Sequence, residues 1–207
     1  MSIQGFNKDD FSAFYIDGLD ERMAAIQERI QPKFKVLGEN LTNYLSEALN
    51  QEMYLHIAKH ARRSVNPPKD TWLAIAHNKR GYKKHPHFQL GLFDDHLFIW
   101  LAFIYELPQK ENIARAFLEH LEDVKKTIPS HYMISLDHTQ KEAKPVSDFD
   151  LEKGLIRFRD VKKGEFLVGQ HISSDDPLVQ NGEKLDEIAK ETYNTLLPLY
   201  RMSLTVE

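Results

Sequence analysis

Residues Phe88–Tyr105, FQLGLFDDHLFIWLAFIY, decide the fold. Phe88, Leu90 and Leu92 recur at period two, the spacing of a strand with one buried face. Asp94-Asp95 supplies a turn, and the run from Leu97 to Tyr105 that follows is apolar at both parities. A strand apolar on both sides must be covered on both sides, so this run marks the centre of a sheet.

Working outward, Met53, Leu55 and Ile57 alternate with Tyr54, His56 and Ala58, and Trp72 to His77 forms a further short apolar run. These four runs are joined by segments too short for crossover helices, which predicts antiparallel pairing. Upstream the period is 3.6. Met23, Ile26 and Ile30 continue through Phe34, Leu37, Leu41 and Leu45 on one helical phase, with Asp20 placed to cap it and Pro32 placed to kink it. Downstream, Pro108 opens a helix with a stripe of Ile113, Ala116, Phe117, Leu121 and Val124, on which His120 reads as a core histidine. Tyr132 to Leu136 reads as a strand. Leu155–Arg159 and Glu165–Ile172 read as a hairpin about Lys162-Lys163-Gly164, and Leu185 to Tyr200 as a closing helix. Runs of strands between long helices predict an α+β fold with an antiparallel sheet and its helices on one face. No low-complexity linker divides the 207 residues, so residues 1–207 read as a single domain.

Composition narrows the function classes. There is no cysteine, which excludes disulfides, thiolate metal ligands and a cysteine nucleophile. The first eleven residues lack the apolar run of a signal peptide. The apolar run Leu97–Tyr105 is about half of what a membrane span needs, so a cytoplasmic protein without a membrane partner is expected. Neither GxGxxG nor GxxxxGK[ST] occurs.

Charge is distributed unevenly. The chain carries −4 overall, yet His56–Phe88 holds eight Lys and Arg against Asp70 alone, a local +7 that leaves −11 on the remainder. Arg62, Arg63, Lys79, Arg80, Lys83 and Lys84 are candidate anion-binding residues, and Tyr82 beside Gly81 is placed to stack on a planar ligand. In a simple meander the loops bearing Arg62-Arg63 and Lys79–Lys84 lie about 20 Å apart at opposite ends of the strands. They form one surface only if the long first loop folds back across the sheet. Five of the ten histidines share this segment. Its positive charge disfavours a dication, so neither a metal nor a cofactor is expected. His171-Ile172-Ser173-Ser174-Asp175-Asp176-Pro177 reads as a strand end and a cap, not as a hydrolytic triad.

Two functions from different classes follow. The first is a non-enzymatic binding module for an anionic partner, a nucleic acid or a phosphorylated small molecule, held by the basic loops. The second is a small-molecule or catalytic cavity between the sheet and the C-terminal helix, walled by Trp72, Phe88, Trp100, Tyr193 and Leu197.

The stretch Ala58–Phe93, AKHARRSVNPPKDTWLAIAHNKRGYKKHPHFQLGLF, with Val161–Phe166 (VKKGEF) and the segment Phe11–Met23, resembles the YktB-like family of Firmicutes over nearly the whole chain. The resemblance implies a curved antiparallel sheet with long helices packed on one face, of TATA-binding-protein-like or helix-grip type. It carries no activity, cofactor or catalytic residue to this chain, and a fold by itself implies none.

Overall fold

The deciding stretch forms a hairpin. β3 (His87–Leu92) and β4 (His96–Phe103) pair antiparallel with Leu92 opposite Leu97, and the Phe93 N–H closes the turn on the His96 carbonyl at 2.9 Å. A computed structural model describes residues 2–206. Around the hairpin lie β1 (Tyr54–Ile57), β2 (Thr71–Ala76), β5 (Met133–Ser135), β6 (Lys144–Pro145) and β7 (Phe166–Ser173). The seven strands form one open sheet in the order β1-β2-β3-β4-β7-β5-β6, with every pair antiparallel. β4 is central, between β3 and β7, as its two apolar faces require.

The helices are α1 (Lys8–Ser12), α2 (Leu19–Ala25), α3 (Gln31–Leu49), α4 (Lys110–Glu119), α5 (Leu121–Thr127), α6 (Leu151–Asp160) and α7 (Gly182–Leu204). One face of the sheet, with Leu73, Ile75, Phe88, Leu90, Ile99 and Leu101, joins the apolar stripes of α3, α4, α6 and α7 in the main core. α7 lies against β3, β4 and β7. Tyr193 and Tyr200 each place a ring 4.9 Å from that of Phe88, and the Tyr193 hydroxyl donates to the Gln89 carbonyl at 2.9 Å.

The opposite face carries Trp72, Ala74, His87, Gln89, Phe98, Trp100 and Ala102, and it too is largely buried. Its cover is two loops. The segment between β2 and β3 folds back so that Tyr82 lies 5.6 Å from His56 and 4.9 Å from His87, ring to ring. The segment after β5 packs Ala143 and His138 over the other half.

The structure corrects several sequence readings. Leu155–Arg159 lies in α6, not in a strand. Ile156-Arg157-Phe158-Arg159 alternates like a strand, but Leu151, Gly154, Leu155 and Phe158 bury one helical face, and the Asp150 carboxylate caps the helix through the Lys153 N–H at 3.0 Å. Lys162-Lys163-Gly164 therefore joins a helix to β7. His120 sits exposed at the break between α4 and α5 and is not a core residue. α2 starts after Gly18, whose φ of 87° suits glycine, and Asp20 lies inside its first turn, not at the cap. A π-helical turn, Ile26–Ile30, absorbs the kink expected at Pro32, which sits in the first turn of α3 where its missing N–H costs least.

The five residues expected to wall one cavity are divided. Phe88, Tyr193 and Leu197 belong to the core under α7, whereas Trp72 and Trp100 lie on the loop-covered face. Period-two alternation places Phe88 opposite in sense to Trp72 and Trp100, so the sheet separates them. Among the described residues no helix is long and apolar enough to cross a membrane.

Candidate functional site

The loop between β1 and β2 is built to hold a shape. His60 takes a left-handed conformation (φ 50°), uncommon outside glycine, and accepts the Arg63 N–H on its carbonyl at 3.0 Å. Its Nε2 lies 3.2 Å from Thr71 Oγ1, and its ring meets Trp72 edge-on at 5.5 Å. Arg63 bonds back to the Asn66 carbonyl at 3.3 Å. From α2, Arg22 donates to the Ile16 carbonyl and the Pro68 carbonyl, each at 2.9 Å, pinning the Pro67-Pro68 segment to the N-terminal helices.

Beneath this loop opens a cleft of about 980 Å³, within the size range of small-molecule sites. Arg22, Lys59, Arg62, Arg63, Lys69 and Lys83 line it, with Trp72 and Tyr82 as aromatic walls and Asp70 and His138 at its polar end. Trp72 Nε1 donates to the Tyr82 hydroxyl at 3.1 Å, and burial pushes that phenol up to about 12. The basic loops thus do meet, by a route opposite to the one the meander suggests. It is the second loop that folds back over the sheet, carried by Tyr82, while the first stays at its own end.

Four of the seven candidate anion-binding residues, Arg62, Arg63, Tyr82 and Lys83, line the cleft. Lys79 and Arg80 are exposed outside it. Lys84 lines a second, smaller cleft of about 410 Å³ with His77, His85 and Leu107.

Sequence reading passed over the residues at the polar end. Glu165 is 2% exposed, and its carboxylate is fully engaged. It accepts the His138 backbone N–H at 2.8 Å and the Tyr105 N–H at 3.3 Å, and its oxygens lie 2.8 and 2.9 Å from His138 Nδ1. Burial works against charge on His138. The Glu165 hydrogen bond and charge, with Asp70 and Asp137 nearby, outweigh it and raise the imidazole above its ordinary value. Asp70 is 6% exposed, and burial pushes its carboxyl up to about 6 against the pull of Arg63 and His138. Asp137-His138 reads in sequence as a turn, and Glu165 as part of a basic hairpin. Only the pairing of β5 with β7 brings them together.

Ligand atoms of Asp137, His138 and Glu165 lie within 4.8 Å of one another, a spacing that could hold a metal ion. The chemistry favours an ion pair. Both Glu165 oxygens already accept hydrogen bonds, and Asp137 Oδ1 accepts from the Thr139 N–H at 2.9 Å and its hydroxyl at 2.7 Å.

The other histidines have local duties. His56 Nε2 meets the Asn78 carbonyl at 3.0 Å, so His56 and His60 do not share a ligand. His87 Nδ1 lies 2.8 Å from the His85 carbonyl and its Nε2 2.8 Å from the Gln89 side-chain amide. The ring is therefore the Nδ1–H tautomer, and burial pulls it down to about 3. At the far corner His171 stacks on His96 at 4.1 Å beside Trp100. Asp176 caps the helical turn at Pro177 through the Leu178 N–H at 2.9 Å, as the sequence suggests.

Comparison with known proteins agrees with the resemblance seen in the motifs. A UPF0637 protein of Shouchella clausii is 62% identical over 205 residues, 99% of this chain and 97% of that one. A UPF0637 protein of Oceanobacillus iheyensis is 59% identical over 203 residues, 98% of each, and one of Listeria welshimeri is 54% identical over 204 residues, 99% of this chain and all of the other. The model of a domain of unknown function, DUF1054, matches residues 6–200, so the cleft and every strand lie within the match and the chain belongs to the DUF1054/UPF0637 family.

Proposed function

We propose that the protein binds a phosphorylated small molecule of about nucleotide size in the cleft between its two basic loops. The observation that carries this reading is the meeting of Arg62 and Arg63 with Tyr82 and Lys83 around one concave space, walled by Trp72. Guanidinium and ammonium groups supply charge-assisted hydrogen bonds to phosphate oxygens, and the two aromatics supply an apolar wall for a planar group. A volume of about 980 Å³ suits such a ligand better than a duplex, which needs an extended basic surface. The long α7 across the sheet also supports a helix-grip arrangement, which would leave the loop-covered face for ligands.

Trp72 and Trp100 are the two tryptophans, so quenching of intrinsic fluorescence by AMP or ADP reads the site directly. The expected result is saturable quenching that weakens as salt rises, with Arg62→Ala and Lys83→Ala each lowering affinity about tenfold. Quenching that ignores both salt and these substitutions would remove the reading. Arg63→Ala is the less clean variant, because Arg63 also holds the loop through the Asn66 carbonyl.

A further inference from the structure

We propose that the cleft hydrolyses phosphodiesters, with His138 as proton donor to the leaving oxygen and Asp70 as proton acceptor from the attacking water. The proposal rests on the reading of the cleft as a phosphate site.

Glu165 holds His138 from one side, through both Nδ1 and the backbone N–H. That grip fixes the ring and turns Nε2 away from the buried carboxylate, on a side chain that lines the cleft. Among the described residues nothing bonds to Nε2. An imidazole so held, with one nitrogen on a carboxylate and the other presented to a ligand, is the arrangement general acid–base chemistry uses.

Asp70 is the second element. It is almost wholly buried, it lines the same cleft, and among the described residues no other residue donates a hydrogen bond to its carboxylate. Its own backbone N–H is a donor to it, and a bound water or substrate hydroxyl in the cleft would add a further one. The two groups are close enough for each charge to act on the other. The shifts run in the directions the roles require: burial raises the Asp70 carboxyl to about 6, still below neutrality, and the Glu165 hydrogen bond and charge outweigh burial to raise the His138 imidazole, favouring its protonated form.

The step balances. Water forms a new P–O bond and passes a proton to the Asp70 carboxylate. The P–O bond to the leaving group breaks, and that oxygen takes the Nε2 proton of His138. Asp70 then returns its proton to solvent and His138 regains one, so one diester and one water give a monoester and an alcohol. Arg62, Arg63 and Lys83 face the space where the non-bridging oxygens would lie. A diester fits this apparatus because its single charge admits a nucleophile and its alkoxide needs a proton.

The test follows release of p-nitrophenol from bis(p-nitrophenyl) phosphate and cleavage of the dinucleotide UpA by the full chain, with AMP quenching measured in parallel. The expected result is turnover that survives EDTA and follows a bell-shaped pH profile. It falls about 100-fold or more in Asp70→Asn on both substrates and in His138→Gln on UpA, whose alkoxide needs the proton, a far larger loss than any in AMP affinity. Glu165 is a positioning residue, so Glu165→Gln should move the alkaline limb of the profile to lower pH. AMP binding without turnover would overturn the proposal and leave the binding reading standing. Absence of both would remove both. Turnover that persists in the two variants would place the chemistry elsewhere, and turnover abolished by EDTA and restored by zinc would make Asp137, His138 and Glu165 metal ligands instead. If either variant fails to fold, a wild-type profile that is flat between pH 5 and 8 overturns the proposal on its own.

Discussion

The two faces of the sheet are both buried, but they are buried by different material. On one side Leu73, Ile75, Phe88, Leu90, Ile99 and Leu101 meet helices, with polar contacts such as Gln170 on Thr192 and the Tyr193 hydroxyl on the Gln89 carbonyl set among them. On the other, Trp72, Phe98 and Trp100 share the surface with His56, His87, Gln89 and His171 under two loops. A helix satisfies its own backbone groups and can offer a purely apolar stripe. A loop laid across a sheet brings unpaired carbonyls with it, and each must find a donor. His56 meets the Asn78 carbonyl and His87 the His85 carbonyl, both on the covering loop. Two of the five histidines in the basic segment are thus explained by what covers that face. Because this cover is assembled from loops, it can leave a cleft of about 980 Å³, larger than the cleft of about 410 Å³ beside the ends of α4 and α7.

If the helical side holds the fold together, Phe88→Ala should be the most damaging single truncation, costing about 3–5 kcal/mol in denaturant unfolding. A cost below about 1 kcal/mol would show that the two faces are more equal than their packing implies. Next comes Gly169→Ala. A Cβ there would collide with the Ile99 carbonyl oxygen, and backbone cannot move aside as a side chain can. A loss of about 1–3 kcal/mol is expected from thermal melts, with no change in AMP quenching.

The loop-covered face should in turn reveal itself through pH. His87 stays neutral in the folded protein down to about 3, whereas the unfolded chain takes up a proton near its ordinary 6.5. Between those values the unfolded state holds more protons, so stability falls as pH drops through this window, by up to about 1.4 kcal/mol per pH unit. His138 has the opposite sign, because its raised value stabilises the fold at lower pH and the benefit is lost as pH rises through it. Comparing wild type with His87→Gln isolates the His87 part, and equal slopes for the two would refute it. The smallest effect is expected at the rim of the folded-back loop. Lys79→Ala with Arg80→Ala should leave stability within about 0.5 kcal/mol and AMP affinity unchanged, in contrast to Arg62→Ala. A matching loss of affinity would extend the site beyond the cleft.

Much of the architecture was legible because burial imposes a period. β3 and the stripes of α3 and α7 announce themselves at spacings of two and 3.6, and β4 by being apolar at both parities. α6 misled because Ile156 to Arg159 satisfies both periods over four residues, and only the partner surface decides between them. The basic loop residues were visible as charge, but their division was not. Arg62, Arg63 and Lys83 line the cleft, whereas Lys79, Arg80 and Lys84 do not.

By itself, then, the sequence determined the class of fold, the central strand, the helix-packed core and the concentration of positive charge before β3. Each of these depends on the chemistry of neighbouring residues. Tertiary structure alone decided that the second loop turns back under Tyr82, that Trp72 and Phe88 face opposite sides, and that Asp70 lines one cleft with His138, which Glu165 holds from behind. These residues lie up to 95 positions apart, from Asp70 to Glu165. Their meeting depends on the register of β5 against β7 and of β7 against β4, which no local pattern encodes.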